Sequence, residues 1–288
     1  MVDKPYEMGS TQVVSLLKRY FHPEKIGHAG TLDPLASGVL PIALGKATRL
    51  ISYVMEGHKT YRFTIQWGME TASDDLGGDV VDHSEVRPSK EAVEAVLGRF
   101  KGQIMQTPNI FSALRVNGQR AYDLARQGKE VHLAARPVFI YSLKLIDFQP
   151  EEASFEVVCS KGTYVRSLAH DIAHALGTVG VVTFLRRTVC LPFDLSMAVT
   201  VEQIKSGEVL LDNLPLIPME KVLPPMPCLF LSTDELYRLS CGQRLSMNKL
   251  SLPQEITLST GVAKVQTDGV VCGLVQKDNL VLRPLFIW

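Results

Sequence analysis

The stretch richest in chemical potential runs from Lys25 to Leu40, KIGHAGTLDPLASGVL. It presents one carboxylate, Asp33, after Gly27, Gly30 and Thr31 and directly before Pro34. Glycine permits positive φ and close backbone approach, while proline fixes its own φ and steers the preceding residue away from the helical region. The pattern predicts a rigid, sharply turned loop offering a single acid, with His28 five residues upstream. Nucleophilic or acid–base work by that carboxylate is one reading. A turn in which Asp33 caps a backbone amide is the other, and local chemistry leaves both open. The density of turn-forming residues exceeds what a simple turn needs.

Four other groups bear on chemistry. Arg166 falls in the first turn of an expected helix, Tyr164 to Leu176, where a cation opposes the helix dipole; it needs an anionic partner. His170 and His174 have the i, i+4 spacing of a zinc-protease motif, but Asp171 stands where that motif needs Glu and no third ligand is evident, so no metal is expected. Asp74 and Asp75 are adjacent, and neighbours on an extended chain point apart, so they read as a solvated loop or cap. Gly45-Lys46-Ala47-Thr48 resembles a phosphate loop, but Leu40 and Ala47 occupy positions that require Gly and Ser or Thr. With no dinucleotide fingerprint either, no cofactor is expected.

The elements that must carry these groups follow from patterning. Ser10 is placed as the N-cap of a helix from Thr11 to Phe21. Tyr61 to Trp67 alternates as a half-buried strand, on which Tyr61, taken alone, reads as sheet packing. The acidic segment to Asp82 reads as a hairpin or loop. Ser89 to Leu97 is a helix stopped by Gly98, and Arg120 to Gln127 another stopped by Gly128. Val138–Phe148 and Ser154–Ser160 form a hairpin, and Val179–Val189 a further strand. Five prolines between Asp212 and Pro227 mark a linker. Beyond it, Ser232 to Glu235 is a capping box, and short strands follow at Glu255–Ser259, Val262–Thr267, Val270–Gln276 and Leu280–Arg283, the pattern of a small β-barrel.

The 288-residue chain is long enough for about two domains and is 46% hydrophobic, which points to a folded protein. No run of eighteen apolar residues suggests a membrane span, and the N-terminus lacks the apolar core of a signal peptide. Five scattered cysteines without a C-x-x-C pair fit a reducing cytoplasm. Thirty basic residues balance thirty acidic ones, an argument against a nucleic-acid partner, yet the charges segregate. Residues 70–94 are acidic, whereas residues 111–145 carry Arg115, Arg120, Arg126, Lys129, Arg136 and Lys144, a basic face suited to phosphate.

Taken in order, these motifs resemble the TruB family of bacterial tRNA pseudouridine synthases, which isomerise the uridine at position 55 of the tRNA T loop. The resemblance rests on Gly27-His28-Ala29-Gly30-Thr31-Leu32-Asp33-Pro34, continuing through Gly38, Leu40-Pro41 and Gly45-Lys46-Ala47-Thr48. It includes Lys4-Pro5 with Ser10-Thr11, Lys59-Thr60-Tyr61, Phe111-Ser112-Ala113-Leu114 and Tyr122 to Arg126. The run Cys159 to Leu168 with Asp171, then Leu185-Arg186-Arg187-Thr188 and Pro192-Phe193, completes it. Departures are few: Pro108 is followed by Asn109-Ile110 where a second proline is common, Trp67 replaces a usual leucine, and only three residues precede Lys4.

The resemblance implies an α+β pseudouridine synthase fold over residues 1–225, a mixed, mainly antiparallel sheet with flanking helices. A small PUA-like, RNA-binding β-barrel follows over residues 226–288. It implies Asp33 as catalytic nucleophile and Arg166 as its ion-pair partner. It places His28 beside a flipped-out uridine, Tyr61 against the target base, and Tyr164 and Leu185 on the pocket wall. Tyr61 is also a candidate to remove the C5 proton. The implied partner is tRNA, through its T stem-loop, acted on by a cytoplasmic monomer without guide RNA, metal or membrane. The rival reading is a non-catalytic tRNA-binding or tRNA-folding protein.

Overall fold

A computed structural model describes residues 1–116, 118–247 and 261–288. The chain divides into two compact units, Met1–Leu216 and Ile217–Trp288.

The first unit is built on a nine-stranded sheet. Its order is Val199–Thr200, Val2–Lys4, Ser37–Leu40, Gly180–Cys190, Lys59–Trp67, Glu152–Cys159, Arg136–Phe148 and Gly102–Gln106, with Phe193–Asp194 paired beside Gly180–Cys190. Two of the pairings are parallel, Val2–Lys4 on Val199–Thr200 and Gly180–Cys190 on Ser37–Leu40; the others are antiparallel. The mixed, mainly antiparallel sheet is the one anticipated. Alternation in Lys59–Trp67 buries Phe63, Ile65 and Trp67 against the helix Val165–Ala175, whose Leu168, Ala169 and Ile172 face them. Phe63 stacks on Phe155, its register partner, at 5.2 Å between ring centroids. A second core joins the helix Ser10–Phe21, through Val13, Leu17 and Phe21, to Val2, Leu40 and Val199.

Several local expectations change. Gly9, not Ser10, is the N-cap of the first helix. The buried Ser10 hydroxyl instead donates to the Leu32 carbonyl at 2.8 Å and accepts from the Leu32 amide at 2.9 Å, which ties the helix to the backbone just before Asp33. Gly98 does not end its helix, because Lys90–Val96 tightens into a 3-10 turn, Leu97–Phe100, that runs through it. The acidic segment does form a hairpin, Met69–Thr71 on Val80–His83.

In the second unit the capping box of Ser232 and Glu235 opens the helix Thr233–Ser240. A five-stranded sheet, ordered Cys228–Phe230, Val262–Thr267, Val270–Asp278, Val281–Ile287 and Leu245–Ser246, encloses Leu229, Leu239, Val265 and Leu282. This is the small PUA-like β domain expected, seen as a half-barrel among the described residues. Asp268 and Gly269 both take positive φ, as a two-residue hairpin turn requires. The strand expected at Glu255–Ser259 lies outside the described residues.

Candidate active site

Asp33 sits in the loop between Ile26–His28 and Ser37–Leu40, and buried groups hold that loop. Besides Ser10, the Lys4 ammonium donates to the carbonyls of Pro5 at 2.9 Å, Pro34 at 3.3 Å and Met8. Arg187 donates from Nη2 to the Gly30 carbonyl at 2.9 Å and from Nε to that of Val39 at 2.8 Å. Lys4 is 0% and Arg187 1% exposed, so these carbonyls are the acceptors that make two buried cations tolerable. Burial pulls the Lys4 ammonium down to about 8, against the attraction of the Asp33 charge. Gly38 takes φ of +105°, and a Cβ there would lie 2.1 Å from the Arg187 carbonyl oxygen, so the parallel strands approach this closely only at glycine.

Arg166 reaches the loop from the start of the helix Val165–Ala175. That start is fixed by Gln106, which accepts from the Tyr164 amide at 2.8 Å and donates to the Tyr164 carbonyl at 3.0 Å. Arg166 Nε lies 2.9 Å from Asp33 Oδ2, and Nη1 lies 3.5 Å from Asp75 Oδ2. Nη1 donates to the Ser73 carbonyl at 2.5 Å and Nη2 to that of Phe111 at 2.8 Å. Two carboxylates and two carbonyls thus offset a cation at the unfavourable end of a helix dipole. The Arg166 side chain is 5% exposed and the Asp33 side chain 37%, so the arginine is walled in while the acid faces solvent.

Asp33, Arg166 and Leu185 line one shallow, solvent-open cleft with Tyr6, Leu76 and Phe184. Asp75 lines it as well, so apolar and aromatic walls surround the Asp33–Arg166–Asp75 cluster, a setting that suits a planar base. His28, Tyr61 and Tyr164 are not among the cleft's walls. Tyr164 is linked to it electrostatically: burial raises its phenol, and the Asp33 charge adds to that rise. Tyr61 packs on the core opposite Arg187. Burial pushes its phenol up to about 12, against a hydrogen bond from Arg187. At neutral pH Tyr61 therefore keeps its proton in this resting state. Burial, then the charges of Arg187 and Arg120, lower the His28 imidazole, so the ring is neutral near its flank of the loop.

Two residues read as a solvated loop or a cap are largely enclosed, and one of them, Asp75, is a cap on a backbone amide. Asp75 accepts from the Ser73 hydroxyl at 2.6 Å and the Gly77 amide at 3.0 Å while facing Arg166. Asp74, buried and at φ 59°, accepts from Asn109 Nδ2 at 2.8 Å, and burial raises its carboxyl. Asp74 is buried, whereas Asp75 lines the cleft beside Asp33. Histidines 170 and 174 also gain a neighbour that their local sequence does not show, Glu70 on the Met69–Thr71 strand. In the basic segment, Arg120 and Arg126 flank the Tyr122 ring, with guanidinium carbons 5.8 and 5.7 Å from its centroid.

The fold is that of the pseudouridine synthases. It superposes on a structure of an H/ACA RNP bound to a substrate RNA containing 2′-deoxyuridine, with a TM-score of 0.72 at 23% identity over 99% of this chain and 83% of that one. An archaeal box H/ACA sRNP complex gives 0.71 at 23% identity, over 100% and 83%. Within that class the sequence is more specific. The model of the TruB family pseudouridylate synthase N-terminal domain matches residues 18–165, and that of the tRNA pseudouridylate synthase B C-terminal domain matches residues 166–226. A tRNA pseudouridine synthase B of Bradyrhizobium diazoefficiens is 44% identical over 99% of this chain and 83% of its own length. One of Rhodospirillum rubrum is 45% identical over 99% and 94%. The chain belongs to the TruB family of pseudouridylate synthases.

Proposed function

We propose that the chain converts the uridine at position 55 of the tRNA T loop to pseudouridine, with Asp33 as nucleophile. The observation that carries this reading is the 2.9 Å pair between Asp33 and a walled-in Arg166 at the edge of an apolar cleft. A carboxylate in a drying pocket tends to protonate, and a fixed guanidinium favours its charged, nucleophilic form and orients it. The reaction breaks the C1′–N1 bond, makes a C1′–C5 bond, releases the C5 proton and returns a proton to N1. Atoms and electrons balance without a redox partner. The target base must leave its stack, at a cost of about a few kcal/mol; Leu185 lines the cleft that receives it, and the places of Tyr164, Tyr61 and His28 beside it rest on the family resemblance.

In the same reading the catalytic domain occupies residues 1–225, and residues 226–288 are a PUA-like domain that adds RNA contact. The protein works as a cytoplasmic monomer on the T stem-loop, without guide RNA. Among the described residues no helix is long and apolar enough to cross a membrane. The basic segment around Tyr122 equally suits a protein that only binds and folds tRNA. Tritium release from tRNA labelled at uridine C5 separates the two. Wild type should release tritium and Asp33→Asn should not, with tRNA binding retained. Near-normal release by Asp33→Asn would overturn the mechanism, and binding without release by wild type would favour the second reading.

A further inference from the structure

On the helix Val165–Ala175, Arg166, His170 and His174 follow one another at four-residue intervals and so share a face. Arg166 turns to Asp33, while the two histidines turn to the Met69–Thr71 strand. His174 Nε2 lies 2.8 Å from Glu70 Oε2, and His170 Nε2 lies 3.6 Å from Glu70 Oε1. The imidazole rings stand side by side, their centroids 4.1 Å apart and their planes at 34°. One donor atom from each of the three residues lies within 4.8 Å of the others. We propose that Glu70, His170 and His174 bind one divalent transition-metal ion of the zinc type, which ties the Met69–Thr71 strand to the helix.

Both contacts are within ion-pair reach, but a hydrogen bond accounts for only one of them. His174 and Glu70 make a good hydrogen bond, but 3.6 Å is too long for one between His170 and Glu70. That separation is close to what tetrahedral coordination asks: donors each about 2.0–2.1 Å from a zinc ion stand about 3.3 Å from one another. The second ring nitrogen of His170 already faces a carboxylate, Asp171 Oδ1 at 3.3 Å, the outer partner that fixes the tautomer of a metal-bound histidine. Two imidazoles and one carboxylate suit zinc and its neighbours in the first transition row, whereas magnesium and calcium prefer oxygen alone. Side-chain exposures of 17% for Glu70, 34% for His170 and 47% for His174 leave one side open, where water completes the coordination. The histidine motif lacks the glutamate of a zinc protease, and the site's position indicates bracing: the turn after Met69–Thr71 carries Ser73 and Asp75, both of which contact Arg166.

The test uses chelator-stripped full-length protein titrated with zinc chloride by calorimetry and followed by thermal denaturation. Wild type should bind one zinc ion through these residues and melt at a higher temperature with excess zinc, while magnesium at the same concentration shifts nothing. His174→Ala, at the most exposed ligand, and Glu70→Gln should each weaken that binding at least about tenfold and remove the melting shift, and Asp171→Asn should weaken it about 10–100-fold. Equal zinc binding by wild type and His174→Ala would overturn the proposal, since it would place the metal on other groups such as the exposed Cys241. No zinc binding by wild type would overturn it as well. Should a variant fail to fold, the imidazole NMR signals of wild type decide: zinc must move His170 and His174, and movement confined to other histidines refutes the site.

Discussion

Arg166→Lys keeps the charge beside Asp33 and removes the fork that delivers it. Arg166 uses Nε for Asp33 at 2.9 Å, Nη1 for the Ser73 carbonyl at 2.5 Å and Nη2 for the Phe111 carbonyl at 2.8 Å. A lysine offers its three donors from a single point and cannot span those acceptors. If the ammonium stays with Asp33, the two carbonyls lose their donor in a wall where Arg166 is 5% exposed. Each orphaned acceptor costs about 1–3 kcal/mol, so the fold loses about 2–6 kcal/mol. If the ammonium goes to the carbonyls, Asp33 is no longer oriented, and a misplacement of about 1 Å costs about 100-fold in rate. Single-turnover tritium release at saturating enzyme isolates chemistry from tRNA binding, which filter binding measures separately. The expected result is a chemical step slowed about 100-fold with tRNA affinity nearly unchanged, because a side chain this enclosed does not meet phosphate. A rate within about threefold of wild type, or a defect confined to binding, would refute the positioning argument.

Gly38→Ala should destabilise the protein through the same loop. An alanine there bears a strained φ, at about 1–3 kcal/mol, and meets the Arg187 backbone, at about 1–3 kcal/mol more; an unchanged urea midpoint would contradict this. His28 should make stability depend on pH in one direction. Its folded pKa lies below the ordinary 6.5, so as pH falls through 6.5 the unfolded chain takes up a proton that the folded chain refuses. Stability then declines below pH 6.5 and is flat above it on account of this group. Urea midpoints at pH 7.5 and pH 5.5 (about one unit either side of the ordinary value) should differ less in His28→Gln than in wild type. Equal differences would exclude the histidine as the cause.

What could be read from the sequence, and what could not, divides by the range of the interactions concerned. The strands Lys59–Trp67, Arg136–Phe148 and Glu152–Cys159 were legible because alternation is a local property of a half-buried strand. Their order was not, since the insertion of Ser37–Leu40 between Val2–Lys4 and Gly180–Cys190 depends on remote pairing. That Arg166 needs an anion was within reach, because a cation stands at the wrong end of a dipole, but that Asp33 supplies it came only from the family resemblance. Asp75 was not, because its burial comes from a turn packed against a helix some ninety residues away. Ser10 shows the converse error. Its type and position fit an N-cap, but a partner 22 residues on uses both functions of the hydroxyl. Glu70 stayed hidden for the same reason as Asp75, a hundred residues from the histidines it faces.

The two buried arginines that grip the Asp33 loop differ in what they bind, and the difference has a chemical consequence. On the Gly180–Cys190 strand, adjacent residues point to opposite faces. Arg186 turns to Asp3 at 2.6 Å, and Arg187 turns inward. Arg187 directs its donors to the carbonyls of Gly30 and Val39 and to the Tyr61 phenol, all neutral acceptors. It therefore shapes the loop without forming an ion pair with the acid that the loop presents. Arg166 is the one that meets Asp33 directly, and its remaining donors are tied to two further segments, at Ser73 and Phe111. A guanidinium anchored in this way cannot follow the carboxylate if the carboxylate moves. The acid must come to the arginine, so the loop that Arg187 shapes has to be rigid for the pair to form at all.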